Sequence, residues 1–551
     1  MKQFTSLFLR FLLIILFSVV FLTESALSAA ESYYFFVQFT DKNNSPYSLS
    51  NPSEYLSNKA LTRRLYFGIV CDSTDLPVNA NYVNQIGNLG IKVHSRSKWL
   101  NGITVIANDS NIMSQVRNFS FVKKVQFTGI KSSPANIKSN IKKSTEDFIY
   151  GATATQINQV KGNYLHNLGY TGKDIYVGVL DAGFNNVNIN GCFDSLRLQN
   201  RLLGTKDIIE PTSNIYAEDA HGANVLSIMT GNKPGNFLGS TPHASFWLIR
   251  TEYGPSEYLV ETDFWVSGIE FADSVGIDIV NSSLGYTTFN SASMNFTYAD
   301  MNGKVSRASI AATMAAHKGI IVCNSMGNDG DKTWKYLGSP ADADDILSVG
   351  AVTSSASPSF FTSFGPSSDF RIKPEVCAMG TATAIVNTSG ASSSGNGTSY
   401  STPVITGMMA CYLQYIKSNF SAKSISDIIE SVKKSTSDYS NPTSQMGYGI
   451  PDFQKASILI TVLDMEKESS LKNYKIIYNK ANQSIQVDNL QNTNHNIAQI
   501  QLINQIGQIV DSKIITSQST QLQTNKISAG IYFVRIIRDE NTETFKIFVE
   551  K

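Results

Sequence analysis

Between residues 163 and 456 the chain repeats one kind of unit: a short apolar run, a turn, then a stretch whose apolar positions recur every three or four residues. DIYVGVL precedes ANVLSIM, SFWLIR precedes FWVSGIEFADSVG, IAATMAAHKG precedes IIVCNS, and DIVNSSL and DILSVGAV supply further runs. Runs that are apolar throughout belong to strands buried on both faces. The pattern therefore predicts an α/β domain with a mostly parallel sheet and helices on both sides. Such a sheet presents its reactive groups at the carboxyl ends of its strands.

The flanks read differently. From 31 to about 130, strand-like runs (YYFFVQF, ITVIA, VKKVQF) alternate with polar stretches, and SEYLSNKALTRRLYF predicts a helix, which together make a small α+β unit. The polar segment GIKSSPANIKSNIKKSTEDF has no core face and reads as a linker. Beyond 460, YKIIYN, SIQVDNL, IAQIQLIN, GIYFVRII and TFKIFVEK alternate with period two and predict a small all-β module. At the start, Lys2 and Arg10 precede twelve apolar residues, 11–22, and then SALSAA, the form of an export signal cut after Ala30. A membrane span needs roughly 20 apolar residues, and no later segment approaches that length. The expected organisation is 1–30 signal, 31–145 first unit, 146–460 α/β domain and 465–551 β module.

Composition narrows the function. With 45 Lys plus Arg against 44 Asp plus Glu, nothing suggests a nucleic-acid partner or an acidic substrate steered by the protein's field. The five cysteines are scattered. Cys323, Cys377 and Cys411 lie in or beside apolar segments and read as buried free thiols, while Cys71 and Cys192 are left open. No carboxylate cluster has metal-ligand spacing.

Three short motifs each put one reactive side chain at the end of an element. Asp181 follows the strand IYVGVL, His221 in DAHGANVLSIMTG opens a helix with Val225, Ile228 and Met229 on one face, and Ser399 in NGTSYSTPVITGMMACYLQYI opens another. Singly, each has an ordinary reading: a turn aspartate, a structural histidine, a helix-capping serine. Together they supply what a serine nucleophile needs, a base to take its proton and a buried acid to hold that base's tautomer.

Asp, His, Ser is the order found in subtilisin. With VLDAGF, DAHGANVLSIMTG, GSTPHA, NSSLG, SMGN, FTSFGPSSDFRIKPEV and NGTSYSTP in sequence over some 290 residues, the chain resembles the subtilase family of serine endopeptidases. The resemblance implies Ser399 as nucleophile, His221 as general base and acid, Asp181 as the residue that orients the imidazole, and Asn328 as oxyanion donor. It also implies that Ser283, Leu284 and Gly285 form the edge that pairs with an extended peptide substrate. No metal or other cofactor is implied for catalysis, whereas structural calcium is compatible with the family. Three positions depart from the family pattern: Ala223 where Thr is common, Tyr400 where Met usually follows the serine, and Met326, whose bulk is expected to reshape the pocket beside the oxyanion loop. Segment 31–145 resembles the propeptide of secreted bacterial subtilases, implying self-inhibition and self-cleavage near 130–150. The tail ISAGIYFVRIIRDENTETFKIFVEK resembles the sorting module of proteins handled by the type IX secretion machinery, implying a secreted or cell-surface location. The alternative from another class is a surface binding or adhesion protein that kept the fold without effective catalysis. An acyl esterase is disfavoured, because the nucleophile elbow of α/β-hydrolases does not surround Ser399.

Overall fold

A computed structural model describes residues 32–131, 150–420, 423–469, 474–489, 498–504, 508–515, 519–538 and 541–550. The export signal at 1–30 and all but the ends of the expected cleavage region at 130–150 lie outside the described residues.

The first unit is a four-stranded antiparallel sheet: β1 (Tyr33–Phe39), β2 (Lys92–Ser97), β3 (Gly102–Ala107) and β4 (Val122–Ile130), in the order β2-β3-β1-β4. Helix α1 (Asn58–Tyr66) and helix α2 (Ala80–Gly87) lie between β1 and β2. The single helix expected over SEYLSNKALTRRLYF is in fact a short turn of 3-10 helix at Pro52–Glu54 followed by α1. Ser57 makes the break: its backbone is extended and its side chain accepts from the Ala60 N–H, so it caps a new helix and cannot continue an old one.

The central domain carries seven parallel strands, β5 (Tyr176–Asp181), β6 (Leu202–Asp207), β7 (Ser245–Arg250), β8 (Ile279–Ser282), β9 (Ile321–Ser325), β10 (Leu347–Val352) and β11 (Val376–Met379). Their order is β11-β10-β9-β8-β5-β7-β6, so the chain lays β6 at one edge, fills the gap to β5 with β7, and then builds outward on the other side of β5. Side chains on both faces are buried, as continuous apolar runs require. Val177 and Val179 of β5 pack with α3 (His221–Thr230) and α6 (Thr398–Asn419), whereas Leu180 packs with α4 (Val260–Val275) and α5 (Arg307–His317). In α6, the predicted face of Val404, Ile405, Met408, Met409, Tyr412, Leu413 and Ile416 is fully buried against the sheet. Each such side chain contributes roughly 1.5–3 kcal/mol. β6 and β11 escaped the sequence pattern. LLGTKD has only two leading apolar residues and becomes a strand by pairing with β7 at the sheet's edge.

The C-terminal strands form two antiparallel sheets, of three and four strands, around one core that includes Ile485, Ile500, Val534 and Phe545. All five cysteines are free; Cys192, Cys323, Cys377 and Cys411 are buried and Cys71 is half-buried. Among the described residues no helix is long and apolar enough to cross a membrane.

Candidate active site

The chain reverses its direction of sheet growth beside β5, and there, on the carboxyl edge, Asp181 and His221 meet, with Ser399 tied to the end of the neighbouring strand β8. Asp181 is the last residue of β5 and fully buried; its Oδ1 accepts from the Ala182 N–H at 2.8 Å and faces His221 Nδ1 at 2.9 Å. His221 is the first residue of α3, and Asp219 Oδ1 accepts its backbone N–H at 2.7 Å, satisfying one donor of the first turn. Gly222 makes the approach possible. A Cβ there would stand 2.3 Å from Gly183 O and 2.9 Å from Asp181 Cβ. Burial opposes a charge on His221, but the charge and hydrogen bond of Asp181 outweigh it, so its pKa is raised above the usual imidazole value. Asp219 and Glu252 add to this rise, Glu252 only when ionised.

Ser399 is the second residue of α6, placed there by Gly397, whose φ of +150° suits glycine. Pro403 sits inside this helix and has no N–H, so the Ser399 carbonyl four residues earlier lacks its helical donor. The Ser283 hydroxyl takes that place at 2.9 Å, while the Ser399 hydroxyl donates to Ser283 O at 3.2 Å. The serine is thereby tied to the end of β8, and its hydroxyl is turned to that carbonyl. The Tyr400 ring lies 6.0 Å from the His221 ring at an interplanar angle of 34°.

Asn328 stands next to the start of α6. Its Oδ1 accepts from Thr398 N at 2.8 Å and Thr398 Oγ1 at 3.0 Å, which leaves its Nδ2 as the donor available to a neighbour. Thr398 Oγ1 in turn accepts from Gly327 N at 3.2 Å. The contact of Thr398 with Asn328 is one that the sequence reading missed, although Thr398 sits beside Ser399 in NGTSYSTP. In the expected substrate edge, Ser283 and Leu284 are buried and Gly285 is exposed. The Leu284 carbonyl is already occupied by Asn324 Nδ2 and Ser325 Oγ, each at 3.1 Å, so free main chain is left at Gly285. Met326 is fully buried with Met301, Leu337 and Ala341 beneath the Gly327–Asn328 turn. Ala223 is buried in α3.

One grouping was illegible in the sequence. Glu252, Glu257 and Glu261 bring carboxylate oxygens within 4.8 Å of one another, the one set of metal-like spacing among the described residues. Burial first, and then the neighbouring carboxyls, push Glu257 up to about 9 and hold Glu252 well above the usual range; burial likewise pushes Glu261 up to about 8. At neutral pH this is a proton-holding cluster, with Tyr286 Oη donating to Glu252 Oε2 at 3.1 Å and the Tyr253 and Tyr258 amides donating to Glu261. Groups whose folded pKa is raised stabilise the fold fully below the unfolded value near 4.5 and lose that contribution as pH rises through 8–9. Glu257→Gln is therefore expected to narrow the fall in thermal stability between pH 5 and pH 9 by about 2 °C, the order given by ~1 kcal/mol in a large domain. Parallel melting curves of the two proteins over that range would refute this.

Sequence comparison places the chain among known proteins. Residues 172–449 match the model described as the subtilase family, 34–146 the peptidase S8 propeptide domain of Bacteroidota, and 475–550 a secretion system C-terminal sorting domain. The protein is a peptide hydrolase of the serine class built on an α/β fold. It belongs to the subtilase family. Relatives include subtilisin NAT of Bacillus subtilis subsp. natto and subtilisin E of Bacillus subtilis (strain 168), each 25% identical over 371 residues, covering 66% of this chain and 84% of theirs. A subtilisin of Bacillus pumilus is 27% identical over 262 residues, 47% of this chain and 83% of its own. The chain is a serine endopeptidase made as a zymogen with a propeptide, and its type IX sorting module directs it to the medium or the cell surface.

Proposed function

We propose that Ser399, His221 and Asp181 are the catalytic triad of this endopeptidase, with Asn328 as oxyanion donor and Gly285 as the main-chain edge that pairs with substrate. The observation that carries the reading is the buried Asp181 carboxylate 2.9 Å from His221 Nδ1, which leaves Nε2 as the base, on the same sheet edge as Ser399. Rotation of the Ser399 hydroxyl from Ser283 O to Nε2 arms the nucleophile. Oγ then attacks the substrate carbonyl carbon while its proton passes to Nε2, and the carbonyl oxygen becomes an oxyanion. Asn328 Nδ2 and the free N–H groups and dipole of the α6 N-terminus stabilise that charge. Collapse breaks the C–N bond, Nε2 returns the proton to the leaving amine, and water repeats the sequence to release the acid. The triad itself calls for no metal.

The same chemistry acts on the chain's own linker, between a propeptide at 31–145 and a catalytic domain at 146–460, followed by a sorting module at 465–551. Met326, packed with Met301, Leu337 and Ala341 beneath the oxyanion turn, reshapes the pocket for the residue before the scissile bond through that packing. The test is to treat purified protein with a fluorophosphonate, locate the label by peptide mass spectrometry, and follow casein digestion. A label on Ser399 and digested casein are expected. An unlabelled protein that leaves casein whole after propeptide removal would instead favour an adhesion protein on a subtilase fold.

A further inference from the structure

The propeptide contacts the catalytic domain through its sheet and through a separate arm. Its sheet lies along α4, where Tyr34 meets Phe264 edge-on at 5.7 Å and Glu270 accepts from Ser97 Oγ, Lys98 N and Trp99 N. A second contact is made by the arm that joins β1 to α2, residues 43–78, which carries α1. It seats on the turns that follow α4 and α5, at the amino ends of β8 and β9. That is the opposite edge of the sheet from Ser399.

Charges on both sides of this second contact are out of water. Arg63, Arg64 and Asp75 of the arm are 1%, 2% and 0% exposed, and Asp273 and Lys318 of the catalytic domain are 0% and 4% exposed. Asp273 pairs with three propeptide cations, Arg63, Arg64 and Lys98. Lys318 donates in the other direction, to Asp72 at 2.8 Å and Asp75 at 2.9 Å. Arg64 also forms a two-pronged pair with Asp75, both bonds 2.8 Å, so the charges link into one network. Backbone contacts fix the register: Arg63 Nη1 donates to Ile277 O at 2.6 Å and Ser57 N to Ser274 O at 3.0 Å. Shape agrees with charge, since Gly276 and Gly319 let the arm come close. A Cβ on Gly276 would lie 2.6 Å from Ala60 N, and one on Gly319 would lie 2.9 Å from the Phe67 ring.

We propose that this arm is a lock separate from the cleft, which keeps the cut propeptide on the enzyme after the junction is severed. The idea rests on the zymogen reading above. Buried ion pairs with several hydrogen bonds add little over an apolar contact while whole, but losing one partner strands a buried charge, and that penalty appears in the dissociation rate. Cutting the chain at 130–150 leaves every one of these pairs intact.

Lys318→Met tests this in the full chain, because the side chain's partners, Asp72 and Asp75, are both in the arm. Two readouts are needed. In the uncut chain, amides of α1 are expected to exchange with deuterium about 30-fold faster than in the unaltered protein, and Lys318→Arg to restore most of the protection. In the self-processed sample, the propeptide is expected to dissociate about 30-fold faster on dilution, read by native mass spectrometry, with Arg64→Met behaving alike. Exchange and dissociation within threefold of the unaltered protein for Lys318→Met would overturn the lock. A chain that never cuts itself speaks against self-processing alone, and α1 exchange still decides the lock.

Discussion

Ser399→Ala is expected to lower kcat for peptide hydrolysis by about 10^6, a magnitude measured in subtilisin and carried over to this relative. The physical reason is that Ser399 is the proposed nucleophile: its hydroxyl, tied to the end of β8, stands on the same sheet edge as the Asp181–His221 pair, and removing it leaves binding and oxyanion stabilisation without a group to form the acyl intermediate. The fold should survive, because Oγ makes a single bond, to Ser283 O at 3.2 Å, while the tie from Ser283 Oγ to the Ser399 carbonyl remains. Its melting temperature should stay within about 2 °C of the unaltered protein. The variant should also keep its propeptide covalently attached, seen as one full-length band where the active protein gives two. Casein digestion above a hundredth of the unaltered rate, or normal processing in a preparation free of other proteases, would remove Ser399 from the mechanism.

The next largest effect is expected from Asp181→Asn, a fall in kcat of roughly 10^4. Oδ1 of Asp181 receives both the Ala182 N–H and the His221 Nδ1 side. An asparagine can keep its carbonyl toward both donors, so the geometry survives and the charge is lost. In a fully buried position that charge acts through a low effective dielectric and is the main support for the imidazolium formed during catalysis. The second readout is the acid limb of the pH profile. A neutral imidazole is needed as base, so kcat/KM rises with pH through the His221 pKa, which Asp181 holds above its ordinary value. Once the carboxylate is replaced by an amide, burial prevails and the limb should move to lower pH. A variant within tenfold of the original, or an unmoved limb, would show that His221 is not supported by this carboxylate.

The sheet and the residues proposed for catalysis were legible because their signals are local. An apolar run buried on both faces, a glycine before a serine and a helical stripe such as Val404 to Ile416 are each decided by neighbours within a few positions. Edge strand β6 was not legible, since its six residues hold too little apolar side chain to declare themselves and depend on β7. The helix break at Ser57 was missed for a nearer reason: one serine side chain reads as a surface residue until its hydrogen bond to Ala60 N is seen.

Taken alone, the sequence determined the class of fold, the order of its units and which acid, imidazole and hydroxyl are candidates for the chemistry, because these follow from short-range pattern and residue type. Tertiary structure alone decided that Thr398 bonds Asn328, that Ser283 replaces the donor Pro403 lacks, that three glutamates bring their carboxylates together, and that Arg63, Arg64 and Asp273 meet out of water. Apart from the glutamates, which lie within nine residues of one another, those partners stand tens to hundreds of residues apart, and what fixes their protonation and energy is burial, which no local pattern encodes.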